Sequence, residues 1–152
     1  MKKPSLLVKI GRFIFLLVLV NLIGLIGAGY MDEDTMAWYH TLPVSNLNPP
    51  DYLFGLVWTI LLWLQAIAAF LVWGKASPRY FVLQLALNML WSFTFFYLRS
   101  PVWALVVLAF FIFALVANIK SFARVSRIAA WLIVPTLLWA LFALYLNIII
   151  AI

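Results

Sequence analysis

The residues with chemical potential in this chain are amides and tryptophans that interrupt long apolar stretches. One face of a single predicted helix holds Gln84, Asn88, Trp91 and Phe95. A polar face is costly against lipid, so this pattern predicts one of two roles. The amides either hydrogen-bond to neighbouring helices or line a pocket with a few oriented polar groups. The spacing alone leaves both interpretations open.

Two further stretches place aromatic residues on one helix face each. The first face holds Trp58, Leu62 and Gln65, and the second holds Pro135, Trp139, Phe142 and Leu146. Interfacial anchoring explains tryptophans near the ends of spans, but it does not explain the deeper ones, which are Trp58, Trp63, Trp91 and Trp139. These residues predict a wide aromatic cavity suited to a flat, largely apolar ligand, with ordinary bundle packing as the alternative.

Other chemistry has little support in the sequence. No Asp, Glu, Lys or Arg lies in the middle of an apolar stretch, which argues against ion-driven transport. The single histidine, His40, lies in a connection, where we expect an interfacial residue and not a metal ligand. The chain has no cysteine, and no serine is identifiable as a nucleophile beside His40 and an acid. We therefore predict no metal site and no hydrolytic triad.

These side chains require a membrane-spanning framework. Of the 152 residues, 68% are hydrophobic and 9% are charged, whereas soluble domains are about a quarter charged. Unbroken apolar runs of about 20 residues predict helices and argue against a barrel. The predicted fold is an all-α integral membrane protein, a single domain over residues 1–152 with five transmembrane helices in one bundle. The predicted spans are residues 6–30, 50–73, 78–98, 101–120 and 125–150.

The connection over residues 31–49 is the longest one and leads into the second span. Pro49 and Pro50 fit the first turn of that helix, and the side-chain oxygen of Asn48 is expected to cap it. The connection is either a simple membrane boundary or a lid that folds over the bundle.

The charges predict an orientation. With a cytoplasmic N-terminus, every lysine and arginine except Arg99 falls on the inner side, as the positive-inside rule requires. The basic start of the first span also resembles a signal peptide, but we predict a retained helix because its small residues permit close packing. The formal charge of +6 thus reflects topology, with contact to anionic lipid as a secondary effect. No nucleic-acid partner is predicted.

A series of short motifs runs in order along the chain. It consists of Trp38-Tyr39, Pro49-Pro50, Gly55-Leu56-Val57-Trp58, Gln84-Leu85-Ala86-Leu87-Asn88, Trp91-Ser92, Phe95-Phe96, Pro135 with Trp139, Phe142-Ala143 and Leu146-Asn147. In order and spacing the series resembles the translocator protein family, also known as tryptophan-rich sensory proteins or peripheral benzodiazepine receptors. The resemblance covers about Trp38 to Asn147. The five-helix bundle of that family agrees with the predicted spans.

The resemblance implies a pocket among the helices, covered by the first loop. In this family the pocket binds porphyrins such as protoporphyrin IX or haem, sterol-like molecules and benzodiazepine-type ligands, and no cofactor is required. A role as a sensor, carrier or scavenger would follow, and a homodimer is a further expectation. The pocket residues that the resemblance implies are Tyr39, Pro49, Phe54, Trp58, Leu62, Asn88, Trp91, Ser92, Phe95, Trp139, Ala143 and Leu146.

Two other functions stay open at this point. Some bacterial relatives are reported to degrade protoporphyrin in light, and in that case Trp58 and Trp139 would be the catalytic residues. The other alternative is a structural membrane protein that modulates a partner without any small ligand. The first loop also departs from the usual Lys-Pro-x-Trp-x-Pro-Pro pattern, because Leu42 precedes Pro43 and Leu47 takes the place of the tryptophan. We therefore expect the lid to close differently.

Overall fold

The protein is a bundle of helices. The computed structural model describes residues 4–152, and every regular element within this range is helical. Five helices are long and apolar enough to cross a membrane, which confirms the predicted all-α integral membrane fold. The elements are α1 (Leu6–Gly29), α2 (Glu33–Tyr39), α3 (Asp51–Leu71), α4 (Arg79–Ser92) with a π-helical extension (Phe93–Tyr97), α5 (Pro101–Ala123) and α6 (Arg127–Ala151).

Local sequence signals start several of the spans. Ser5 caps α1 by accepting a hydrogen bond from the backbone N–H of Val8 at 3.4 Å, and Ser126 caps α6 in the same way. Helix α5 begins with Pro101, where the missing N–H is not needed for an intrahelical bond. The 24 residues of α1 extend about 36 Å at about 1.5 Å per residue. That length exceeds the hydrocarbon thickness of about 30 Å.

The start of α3 differs from the prediction. The helix begins at Asp51, and Pro50 is its N-cap residue without a side-chain hydrogen bond. The prediction that Asn48 caps the helix and that both prolines lie in its first turn is therefore wrong. Pro50 keeps an extended backbone with ψ of 146°, and Pro49 is pushed away from the helical region because a proline follows it. The side-chain oxygen of Asn48 instead accepts a hydrogen bond from the Tyr39 hydroxyl at 2.9 Å.

The connection over residues 31–49 contains a short helix, α2, that the sequence analysis did not predict. Asp32 caps it by accepting a hydrogen bond from the backbone N–H of Thr35 at 2.8 Å. Hydrogen bonds from the Thr35 side chain and backbone hold the pKa of Asp32 below its usual range. Glu33 and Asp34 in the first turn are favourable near the positive end of the helix dipole. We refer to residues 31–49 as the lid.

The third span ends in a wider turn. Beyond α4 the N–H of Leu98 donates to the carbonyl of Phe93 at 2.9 Å, a π-helical bond. This turn leaves both Phe95 and Phe96 buried, with ring centroids 4.9 Å apart. Consecutive side chains on a regular helix diverge by about 100°, so the regular spacing used for prediction included only Phe95. Turns of this kind occur frequently at functional sites.

A buried amide network joins three helices. Gln84 Nε2 donates to Gln65 Oε1 at 2.8 Å, and Gln65 Nε2 donates to Thr136 Oγ1 at 3.2 Å. All three side chains are buried. The spacing of Gln84 allowed either a hydrogen bond to a neighbouring helix or a place in a pocket wall, and these bonds show the first of the two roles. Asn88, one turn further along α4, lines a cavity instead.

The two ends of the bundle carry different charges. The lid end holds the four acidic residues, which lie in or beside α2 and at the start of α3. At the opposite end, which we call the basic end, α1 begins and the α3–α4 and α5–α6 connections are located. The cations of the basic end among the described residues are Lys9, Arg12, Lys75, Arg79, Lys120, Arg124 and Arg127. Which end faces the cytoplasm stays a prediction.

Candidate ligand-binding cavity

Two neighbouring cavities lie inside the lid end of the bundle. The first, which we call the lid cavity, has a volume of about 30 Å³ and lies between α2, α3, α6 and the π-helical turn. The second, the α1 cavity, has a volume of about 200 Å³ and lies between α1, α3 and α4. The two cavities share four lining residues, Met31, Phe54, Trp91 and Phe96. Only side chains therefore separate the two spaces.

Aromatic rings form most of the wall between the two cavities, since three of the four shared lining residues are Phe54, Trp91 and Phe96. Trp91 stacks on Phe95 with ring centroids 5.6 Å apart, and its ring lies 6.4 Å from that of Trp58. Phe54 packs edge-on against Trp139 at 5.9 Å. Aromatic rings that border a cavity are good stacking partners for a flat conjugated molecule.

The lid is attached to the bundle by polar contacts and by a buried tyrosine. The Tyr39 side chain is 6% exposed, its ring contacts Phe95 and Phe96, and its hydroxyl donates to Asn48. Burial raises the pKa of the Tyr39 hydroxyl, so this group remains a neutral donor. His40 Nε2 lies 3.1 Å from Asp51 Oδ2. These contacts join the end of α2 to the start of α3.

A second attachment joins the lid to α6. The hydroxyl groups of Ser45 and Tyr145 lie 3.2 Å apart. Through Met31, Met36 and Tyr39 the lid forms part of the wall of the lid cavity.

The cavities contain few polar groups. Asn88 and Ser92 of α4 and Asn21 of α1 contribute to the α1 cavity, and Asn147 contributes to the lid cavity. Asn147 is also fixed by two bonds, because it accepts from Trp91 Nε1 at 3.4 Å and donates to the Pro101 carbonyl at 2.9 Å. A few polar groups on an apolar wall orient a ligand without requiring a charged one.

The structure brings together most of the residues that the family resemblance assigned to a pocket. Those that line one or both cavities are Tyr39, Phe54, Trp58, Leu62, Asn88, Trp91, Ser92, Phe95, Ala143 and Leu146. Pro49 and Trp139 line neither cavity. Trp139 contacts the cavity-lining ring of Phe54, and its buried Nε1 has no hydrogen-bond partner among the described residues. Trp58 and Trp139 therefore do not share a cavity wall.

The main contribution that sequence reasoning missed comes from α1. Gly24 and Gly27 line the α1 cavity, and a Cβ added to either would lie 3.0 Å from Leu62 Cδ1 or 3.3 Å from Ser92 Oγ, respectively. The small residues of the first span were read as a helix-packing surface, and within this chain they do pack against α3 and α4. Met31, Met36 and Phe96 were also missed. Of these three residues, only Phe96 could have been predicted, because it follows Phe95 in one of the family motifs.

Fold and cavity together define the class: an integral membrane protein of five spanning helices with an aromatic interior cavity under a short surface helix. The model of the TspO/MBR family matches residues 15–152. The tryptophan-rich protein TspO of Chlorobaculum tepidum is 37% identical over 133 residues, which cover 82% of this chain and 84% of that protein. The human translocator protein is 30% identical over 131 residues, or 80% and 78% of the two chains. The tryptophan-rich sensory protein of Cereibacter sphaeroides is 35% identical over 72% of each chain. The chain belongs to the TspO/MBR family.

Proposed function

We propose that this protein binds a flat, largely apolar ligand of the tetrapyrrole class, such as protoporphyrin IX or haem, in the joined lid and α1 cavities. Binding would serve a sensory or transport role, in keeping with the names "sensory protein" and "translocator protein" that its relatives carry. The observation that carries the proposal is the shared aromatic wall, formed by Phe54, Trp91 and Phe96, which touches both cavities.

The volumes require the site to adjust to its ligand. Neither the lid cavity nor the α1 cavity reaches the range of about 300–1,000 Å³ that is typical of small-molecule sites. Met31 stands between them, and methionine is the most adaptable apolar side chain. A rotation of Met31 and of the neighbouring rings would join the two spaces. Because their volumes are about 30 and 200 Å³, the surrounding helices must also move apart to admit a macrocycle.

The walls of the merged site supply both kinds of contact that a tetrapyrrole needs. Trp58 and Trp91 offer ring faces for stacking, while Asn88 and Ser92 offer an amide and a hydroxyl for its polar substituents.

The α1 cavity also suggests how a ligand reaches the site. Several of its lining residues, including Leu25, Gly55 and Thr59, are exposed on the outer surface of α1 and α3. A ligand dissolved in the bilayer could therefore enter between these two helices without leaving the hydrocarbon.

The test is a titration of the purified full chain in detergent with protoporphyrin IX in the dark, followed by the absorbance of the porphyrin. The variant Trp58→Leu removes a stacking face, and Trp103→Leu is the matched control because Trp103 is 64% exposed on α5 and lines neither cavity. Loss of a stacked ring pair is worth about 0.5–1.5 kcal/mol. We therefore expect binding about twofold to twelvefold weaker for Trp58→Leu and unchanged for Trp103→Leu. A response that rises linearly without saturation would rule out a defined site.

Light-dependent breakdown of bound protoporphyrin is a second candidate, because Trp58 and Trp91 both line the α1 cavity at a ring separation of 6.4 Å. Illumination of the saturated complex in air should then bleach the porphyrin faster than in detergent alone. The conservative variant Trp58→Phe should retain binding and lose this acceleration. Equal bleaching rates with and without protein would leave ligand binding without chemistry.

A further inference from the structure

A third cavity lies at the basic end, far from the lid and α1 cavities. It has a volume of about 460 Å³ and lies between the α3–α4 connection and the last turns of α5. Four cations line it, Lys75, Arg79, Lys120 and Arg124. All four side chains are exposed. We call this space the basic cavity.

The charges around the basic cavity have no counter-ion within the described part of the chain. The one close contact between a basic nitrogen and a carboxylate oxygen in residues 4–152 joins His40 to Asp51, at the lid end. Asp51 begins α3 and Lys75 follows the end of the same helix, whose 21 residues span about 30 Å at about 1.5 Å per residue. Four like charges around one space repel one another. Binding an anion between them would relieve that repulsion.

The wall of the basic cavity changes from polar to apolar along α5. Lys120 and Arg124 lie at the end of α5, whereas Phe113 and Val116, which also line the cavity, lie nearer the middle of that helix. Phe113 precedes Lys120 by about two helical turns, or about 10 Å along the axis. Phe113 is also 68% exposed, so it faces the surrounding bilayer. The cavity therefore leads from the level of the lipid head groups into the hydrocarbon.

We propose that the basic cavity binds an anionic phospholipid, with its phosphate among the four cations and an acyl chain along Phe113 and Val116. A guanidinium can bind two phosphate oxygens at once, and Ser77 and Ser121 add hydroxyl donors at the rim. Basic pockets between transmembrane helices are suited to such head groups. A free phosphate would satisfy the cations but would leave the apolar wall without an occupant. This site is separate from the tetrapyrrole site proposed above and does not depend on it.

The test measures lipid binding to the purified full chain in detergent by native mass spectrometry. Phosphatidylglycerol is compared with phosphatidylcholine of the same acyl chains, and inorganic phosphate is added in a separate series. We expect one saturable phosphatidylglycerol, weaker phosphatidylcholine binding and no displacement by millimolar phosphate. Equal affinity for the two lipids would overturn the proposal. Displacement of the lipid by phosphate would overturn it as well, in favour of a free-anion site.

Variants then locate the lipid. Lys120→Gln with Arg124→Gln should weaken phosphatidylglycerol binding about thirtyfold, since each cation near a membrane surface contributes about a fivefold effect. Lys9→Gln with Arg127→Gln removes the same charge from the same end outside the cavity and should change binding little. The charge-preserving exchange Lys120→Arg with Arg124→Lys should retain binding, which separates lost charge from lost folding. Equal losses in the two neutralised pairs would refute a site in the basic cavity.

Discussion

The amide network is the feature whose removal can be predicted most closely. Gln65 takes part in both bonds of the network, because its Oε1 accepts from Gln84 and its Nε2 donates to Thr136. The variant Gln65→Leu keeps a similar volume and breaks both bonds. The network joins α3, α4 and α6, which also carry the walls of the two aromatic cavities. Its loss should therefore loosen the frame of the site.

The magnitude follows from the number of bonds. Interhelical hydrogen bonds in membranes contribute about 0.6 kcal/mol on average and at most about 1.7 kcal/mol. Gln65→Leu should therefore lower the free energy of unfolding by about 1 to 3 kcal/mol. Gln84→Leu breaks only the shared bond and also removes Oε1, which is buried without a partner in the described structure. We expect it to cost less than Gln65→Leu.

The assay is reversible unfolding in mixed micelles with increasing sodium dodecyl sulfate, followed by tryptophan fluorescence. The double variant Gln65→Leu with Gln84→Leu completes a double-mutant cycle. The free energy of unfolding lost in the double variant should be smaller than the sum of the losses in the two single variants. The difference should equal the energy of the shared bond, about 0.6–1.7 kcal/mol. If the two single losses of unfolding free energy add strictly, or if the Gln65→Leu protein is as stable as the wild type, the hydrogen-bond network does not stabilise the bundle and the prediction is refuted.

Three further predictions concern the α1 cavity and the lid. Gly27→Leu should fill the α1 cavity and weaken protoporphyrin binding about tenfold, or about 1.4 kcal/mol. The control Gly29→Leu should bind protoporphyrin normally in the same titration, because an added Cβ at Gly29 meets nothing within 4 Å. Because hydrogen bonds lower the pKa of Asp32, the stability of α2 should hold above about pH 4 and fall as the pH drops through the lowered value, seen as faster amide exchange in α2. Because burial raises the pKa of Tyr39, the hydrogen bond from its hydroxyl to Asn48 should persist at neutral pH and weaken only above about pH 10. The variant Tyr39→Phe, which lacks the hydroxyl, should show no such weakening.

Much of the fold could be predicted from hydropathy because lipid allows few alternatives. A backbone in hydrocarbon must satisfy its own hydrogen bonds, so five long apolar runs imply five helices. The lid did not share this constraint. Its helix α2 has seven residues, too few for a periodic pattern, and its best signal was Asp32 before an acidic first turn. The start of α3 was predicted wrongly because Asn48 has the right chemistry for a cap, but its side-chain oxygen accepts a hydrogen bond from the Tyr39 hydroxyl instead.

The residues that line the cavities could be predicted only in part. Helical spacing and the family motifs identified the residues of α3, α4 and α6 that converge, including Trp58, Asn88 and Trp91. They could not show that Gly24 and Gly27 of α1 line the α1 cavity. The family resemblance began after α1, and a glycine has no side chain whose type would indicate what lies next to it. They also placed Trp139 in the wall, although it lines neither cavity and contacts the lining residue Phe54.

The central claim, a ligand inside the bundle, is tested most directly by cysteine protection. The chain has no cysteine, so Ser92→Cys introduces one thiol in the α1 cavity, and Ser121→Cys introduces one in the basic cavity as a control. Each variant is treated with a small membrane-permeant thiol reagent, with and without saturating protoporphyrin IX. The account predicts that protoporphyrin slows labelling of Ser92→Cys and leaves Ser121→Cys unaffected. Equal labelling of Ser92→Cys with and without the porphyrin would contradict a site within the helix bundle.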